Sequence, residues 1–279
     1  MPGAPFELLG PRIGHGGLGD VFKARMRMTG QLVAVKFLRE RSPANFAHFC
    51  REVDMLYKYK KHPFAVRIYE ANLLAPTPYF IMELCEGTLA DHLGKFTPDQ
   101  IVGMMISLAS ILKSIHADGG HHRDIKPNNI LLRREGNKLV PVLADFGVAN
   151  VPEGGGSMTR TRRGTPEYWS PALWNGESYS QADDVYALGI SFFEILNGYR
   201  QIPAFNWSVP HQLDLLLRSM VSENVILRPS IDQVAERLAA IIELKKNPIQ
   251  NLFANLTLKD VAVVVLAGVT VYAISDELS

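Results

Sequence analysis

The chain has 279 residues, enough for one two-lobed domain with a tail or for two small domains. Its 47% hydrophobic and 20% charged residues are ordinary for a globular protein. A formal net charge of +1 leaves no basic excess, so a nucleic-acid partner is not expected. The two cysteines, Cys50 and Cys85, lack metal-type spacing and read as free thiols in a reducing compartment. The first ten residues lack the basic start and apolar run of a signal peptide.

Residues 6–9 read as a short strand closed by Gly10 and Pro11. Gly14, Gly16 and Gly19 follow in a Gly-x-Gly-x-x-Gly pattern. That spacing alone also marks dinucleotide-binding loops, which open a helix. Here β-branched and aromatic residues follow, so the loop joins two strands. Its glycines let the backbone approach phosphates with N–H groups turned inward. Residues 31–38 alternate as a strand and carry Lys36. Residues 45–59 read as a helix, with Phe46, Phe49, Val53 and Leu56 at helical spacing and Glu52 on it. Residues 66–69 and 79–82 read as strands. Thr97 as a cap and Pro98 at the first helical position open a largely apolar, buried helix reaching His116.

The most informative stretch is His122-Arg123-Asp124-Ile125-Lys126-Pro127-Asn128-Asn129. Apolar residues 130–132 follow as a strand, so the polar run is a loop. A carboxylate, an ammonium and a carboxamide at fixed offsets suit phosphoryl transfer. Asp124 can accept a proton from an attacking hydroxyl, and Lys126 can neutralise charge on the transferring phosphate. Asn129 can offer oxygen to Mg²⁺, which prefers such ligands. Asp145-Phe146-Gly147 lies further on, after apolar Val142, Leu143 and Ala144. An aspartate at the end of a buried strand can ligate the metal that bridges nucleotide phosphates.

With these two signatures the chain resembles the eukaryotic-type serine/threonine protein kinase family, over roughly residues 6–246. The resemblance implies an α+β fold with a small β-rich lobe (1–82), a hinge (83–87), a large helical lobe (88–246) and a tail (247–279). It implies ATP with Mg²⁺ or Mn²⁺ as cofactors and protein Ser/Thr hydroxyls as acceptors. Lys36 then matches the phosphate-binding lysine and Glu52 its ion-pair partner. Ile13, Val21, Ala34 and Leu131 would enclose the adenine, with Met82 at the back of the pocket. Backbone groups of Glu83 and Cys85 would bond the adenine edge. Asn129 and Asp145 would hold the metal, and Asp184 would anchor the catalytic loop.

Residues 151–163 carry glycines, arginines and hydroxyls and read as a mobile loop. Thr159 and Thr161 are candidate phosphorylation sites, with Arg123 as the cation that would receive the phosphate. A homodimer could carry out that phosphorylation in trans. Residues 164–168 resemble the family's substrate-binding loop, in which Thr165 would bond Asp124 and Lys126. One departure follows: Ser170-Pro171-Ala172 stands where the family reads Ala-Pro-Glu. The missing glutamate normally pairs with an arginine, present here as Arg228. That arginine is expected to find a backbone carbonyl, water or another acid, with Glu177 the candidate by sequence proximity. Residues 231–244 read as a closing amphipathic helix.

The charge-free run 261–274 has two readings. Lysines before it and acids after it fit a membrane anchor with the kinase domain in the cytoplasm. Its length is short for a span, which fits a segment packed on the large lobe or on a second copy. Two functions other than an active kinase are open: a nucleotide-binding pseudokinase scaffold, favoured only by Ala172, and a small-molecule kinase, disfavoured by Lys126, residues 164–168 and Asp184.

Overall fold

The computed structural model describes residues 4–15, 17–146, 164–198 and 210–246. Residues up to Leu238 belong to one compact unit. Of the second unit, 239–279, only the end of one helix is described.

The N-terminal part is a five-stranded antiparallel sheet in the order β1-β2-β3-β5-β4. Its strands are β1 (Phe6–His15), β2 (Gly19–Met26), β3 (Leu32–Leu38), β4 (Ile68–Asn72) and β5 (Tyr79–Glu83). One face closes over a core of Phe6, Ala24, Val33, Val35, Phe37, Tyr79 and Ile81. Phe6, Phe37 and Tyr79 meet there at ring-centroid distances of 5.1–6.0 Å, mostly edge to face.

The first strand is longer than the sequence suggests. Gly10 does not end it but takes φ of 81°, where only glycine is unstrained, and the register with β2 shifts between Leu8 and Arg12. Pro11 is tolerated because β1 is an edge strand, which can lose a donor.

Helix α1 (Pro43–Lys58) starts two residues before expectation. Ser42 caps it by accepting from Asn45 N, and Pro43 occupies the first turn. Its buried face presents Phe49, Glu52, Val53, Met55 and Leu56. Four of these are apolar, so the buried Glu52 is the anomaly.

The second part is mainly helical, with α2 (Pro98–Ala117), α3 (Pro171–Trp174), α4 (Gln181–Asn197), α5 (His211–Met220) and α6 (Ile231–Lys246). It also holds the hairpin β6 (Ile130–Glu135) and β7 (Lys138–Leu143). Thr97 and Gln100 form a reciprocal capping box at the start of α2. Among the described residues α2 alone is long and apolar enough to cross a membrane, but 56% of its apolar stretch is buried, as a core helix requires. Sheet-rich and helix-rich parts together make the two-lobed α+β fold. The 261–274 run lies outside the described residues.

Candidate active site

Lys36 sits in the middle of β3, where the sheet fixes its direction, and α1 brings Glu52 to it. The Lys36 ammonium donates to both Glu52 carboxylate oxygens at 2.6 and 2.8 Å. Both side chains are buried. Burial pushes the Glu52 carboxyl up to about 7, against the pull of Lys36. Asp145 approaches the same ammonium at 3.7 Å. Its φ is 59°, left-handed for a non-glycine residue, as sites under functional constraint tend to be.

The 122–129 loop is held from beneath. Asp184, wholly buried at the start of α4, accepts from the peptide N–H of His122 at 2.8 Å and of Arg123 at 2.9 Å. Burial alone would raise its carboxyl. The hydrogen bond and charge of His116, with these peptide donors, bring it down to about 2. Tyr179 donates its hydroxyl to Asp184 at 2.7 Å. Arg123 takes φ of 72°, and its guanidinium lies over the Tyr179 ring at 5.5 Å. His116 and Tyr179 were not assigned roles from sequence, because each meets Asp184 only through the tertiary fold.

On the open side of the loop, Asp124 is the hub. Its Oδ1 accepts the Thr165 hydroxyl at 2.6 Å. Its Oδ2 accepts from Asn129 Nδ2 at 2.7 Å and pairs with Lys126 at 2.9 Å. Lys126 also donates to the Thr165 hydroxyl oxygen. The Asn129 amide nitrogen is spent on Asp124, so its carbonyl oxygen is the atom available to a cation. Asn129 and Asp145 thus offer the hard oxygen donors that suit Mg²⁺.

A cleft of about 1070 Å³ is lined by Ile13, Gly14, Val21, Ala34, Lys36, Glu52, Met82, Glu83, Cys85, Asp124, Lys126, Asn129, Leu131, Asp145 and Thr165. Burial pushes the Cys85 thiol up to about 12, so it stays protonated in the cleft wall. Gly19 does not line the cleft. A Cβ there would lie 2.3 Å from the Phe37 carbonyl oxygen, so this glycine serves the approach of β2 to β3. Gly16, Thr159 and Thr161 lie outside the described residues.

The protein kinase domain family matches residues 9–243. The chain belongs to the protein kinase family, in its serine/threonine branch. Over 263 residues it is 34% identical to the serine/threonine-protein kinase PkaA of Streptomyces coelicolor, covering 86% of this chain and 46% of that one. The serine/threonine-protein kinase PknB of Mycobacterium tuberculosis is 36% identical over 204 residues, 68% of this chain and 32% of PknB. The inhibitor of nuclear factor kappa-B kinase subunit alpha of Gallus gallus is 32% identical over 220 residues, 73% of this chain and 29% of that subunit. The matched region is less than half of each of these relatives.

The kinase departs from its family at Ala172, and the structure identifies the acid that Arg228 meets. It is Asp183, not Glu177: Arg228 Nη1 lies 3.1 Å from Asp183 Oδ1, and both side chains are buried. Glu177 is exposed and bonds Ala172 through its backbone only. Arg228 further donates to the carbonyl oxygen of Ser222 at 2.8 Å and lies over the Tyr186 ring. Asp183 also accepts the Ser170 hydroxyl at 2.6 Å and bonds Ser180. Nearness in sequence misled because α4 turns Asp183, rather than the residues of the preceding loop, toward Arg228.

Proposed function

We propose that the chain is an active serine/threonine protein kinase that moves the γ-phosphoryl group of ATP to protein hydroxyls. In this reading residues 83–87 form the hinge between lobes 1–82 and 88–246. The observation that carries it is the convergence on one cleft of the Lys36–Glu52 pair, Asp145, and the Asp124–Lys126–Asn129–Thr165 cluster.

Each group has a task. Asp124 orients the acceptor hydroxyl and takes its proton as the new O–P bond forms. Its acceptance of the Thr165 O–H at 2.6 Å supports this role, since Asp124 already serves as acceptor to an alcohol. Lys126 offsets charge on the transferring group. Lys36, held by Glu52, grips the nucleotide phosphates. Mg²⁺ on Asp145 and Asn129 would neutralise the phosphate chain when bound. ADP leaves as the bond to the γ-phosphorus breaks. Most of the acceleration then comes from alignment and fixed charge. The pseudokinase reading rested on Ala172, and Asp183 beside Arg228 weakens that support.

Labelled ATP with a generic protein acceptor tests this reading. Wild type is expected to label serine and threonine, and Asp124→Asn to fall to background. Phosphopeptide mapping of the same samples is expected to find phosphate between Ser157 and Thr165 in wild type alone, the mark of autophosphorylation. Equal labelling by both proteins would remove Asp124 from its role.

The tail supports a membrane anchor by its charge asymmetry, with Lys245, Lys246 and Lys259 before the apolar run and Asp276 and Glu277 after it. The full chain is expected in the membrane fraction after a high-pH wash, and a version ending at Gln250 in the soluble fraction. A full chain that is soluble and monodisperse without detergent would leave the packed-segment reading.

A further inference from the structure

The hinge end of β5 is tied to the catalytic lobe by a buried arginine that no signature of the sequence marks. Arg133 lies on β6 and is only 5% exposed, an unusual place for a guanidinium. Three chain segments explain its burial. Its Nη1 donates to Glu83 Oε1 at 3.2 Å, its Nε donates to Glu135 at 2.9 Å, and its Nη2 donates to the carbonyl oxygen of Pro63. Glu83 is as buried as Arg133, and the same Oε1 accepts the Arg67 peptide N–H at 2.8 Å.

Backbone bonds run alongside. Glu86 N donates to Leu132 O and Leu132 N to Gly87 O, both at 2.9 Å. Leu143, two residues before Asp145, is likewise bonded to Phe64 and Val66. The loop after α1, the hinge and the β6–β7 hairpin are therefore stitched together, with Arg133 at the centre. β6 begins directly after Asn129 and supplies Leu131 to the cleft, while Arg133, two residues on, shares that face of the strand.

We propose that Arg133 is a positioning residue for nucleotide binding. By clamping the Glu83 side chain it sets the hinge backbone at a fixed distance from the Leu131 floor, and so fixes the width of the slot that receives the adenine ring. The inference rests on the proposed ATP site. It acts on the base and not on the phosphates, because Arg133 touches none of Lys36, Asp124, Asn129 or Asp145 among its bonds.

The test compares wild type, Arg133→Met, Arg133→Lys and Glu83→Gln. Arg134→Met is the control, since its pair with Glu86 at 2.7 Å is about half exposed and such pairs contribute little. Binding of ATP, adenosine and inorganic tripolyphosphate is measured, together with kcat at saturating ATP and melting temperature. Arg133→Met is expected to weaken adenosine and ATP about tenfold, with tripolyphosphate binding and kcat within about twofold of wild type, by analogy with the loss of one partner of a buried pair. Arg133→Lys is expected to recover part of the loss, Glu83→Gln to lie between, and Arg134→Met to match wild type. A fall in melting temperature with unchanged adenosine affinity in Arg133→Lys and Glu83→Gln would overturn the proposal and leave Arg133 purely structural. Equal weakening of adenosine and tripolyphosphate would also overturn it. A wild type that binds ATP while Arg133→Met binds it equally well removes this inference alone. A wild type that binds no nucleotide removes the ATP site with it.

Discussion

Lys36→Met is expected to lower kcat/KM for ATP about 10²–10³-fold, the scale of losing one preorganised charge partner of a transition state. The fold survives for a reason visible in Glu52. Burial already lifts this carboxyl to about 7 while Lys36 is present and opposes the rise. Without the lysine, the carboxyl takes up a proton at neutral pH, and an uncharged acid is tolerable in an apolar site. The cost appears as pH dependence. A folded-state pKa above the unfolded value of 4.5 means that the folded chain binds more protons across that window. Stability therefore falls as pH rises through it. Lys36→Met should melt higher at pH 6 than at pH 8, and adding Glu52→Gln should flatten that difference. A flat profile in the single variant would show that Glu52 is not buried as the ion pair implies. In wild type, the same raised carboxyl predicts that kcat/KM for ATP, which reports the free enzyme, falls on the acid side as Glu52 takes up its proton and releases Lys36.

How much of this was legible depended on distance along the chain. The 122–129 loop was readable because Asp124, Lys126 and Asn129 lie within six residues, so their order alone states a chemistry. The α2 start was readable because Thr97 and Pro98 are local signals. Ser42 and Pro43 are equally local signals for the start of α1, but the apolar spacing begins only at Phe46 and so points to a later start. The end assigned to β1 at Gly10 failed because glycine punctuates strands and also forms bulges within them, and only the β2 partner decides which. The resemblance marked Asp184 as an anchor and Arg228 as needing a partner, but the residues that meet them, and Arg133 altogether, were not legible. His116 meets Asp184 from 68 residues away, Arg133 meets Glu83 from 50, and Arg228 meets Asp183 from 45. Arg133 and Asp183 are charged residues without a motif, so hydrophobic spacing places them in solvent. Only the packed fold reveals that their charges are answered inside.

Asp183→Asn is expected to cost about 3 kcal/mol, the lower end for removing one partner of a buried pair. In a domain of this size that is about 6–12 °C in melting temperature. The lower end applies because the Ser222 carbonyl oxygen and the Tyr186 ring still shelter Arg228. Activity should fall further than stability alone explains. Asp183 holds Ser170, Ser170 caps α3, and the segment just before it carries Thr165 onto Asp124 and Lys126. Freeing Ser170 loosens the loop that presents the acceptor, so KM for a protein substrate should rise more than KM for ATP. Ala172→Glu alone should change little or destabilise slightly, since Arg228 already has its acid. Combined with Asp183→Asn, however, it places a carboxylate where the family's usual Ala-Pro-Glu pattern has one. The double variant should regain at least half of the lost melting temperature and part of the substrate affinity. Additive losses in the two single variants, with no recovery in the double, would show that position 172 no longer faces Arg228. In that case the loop at Ser170 depends on the new acid for more than charge.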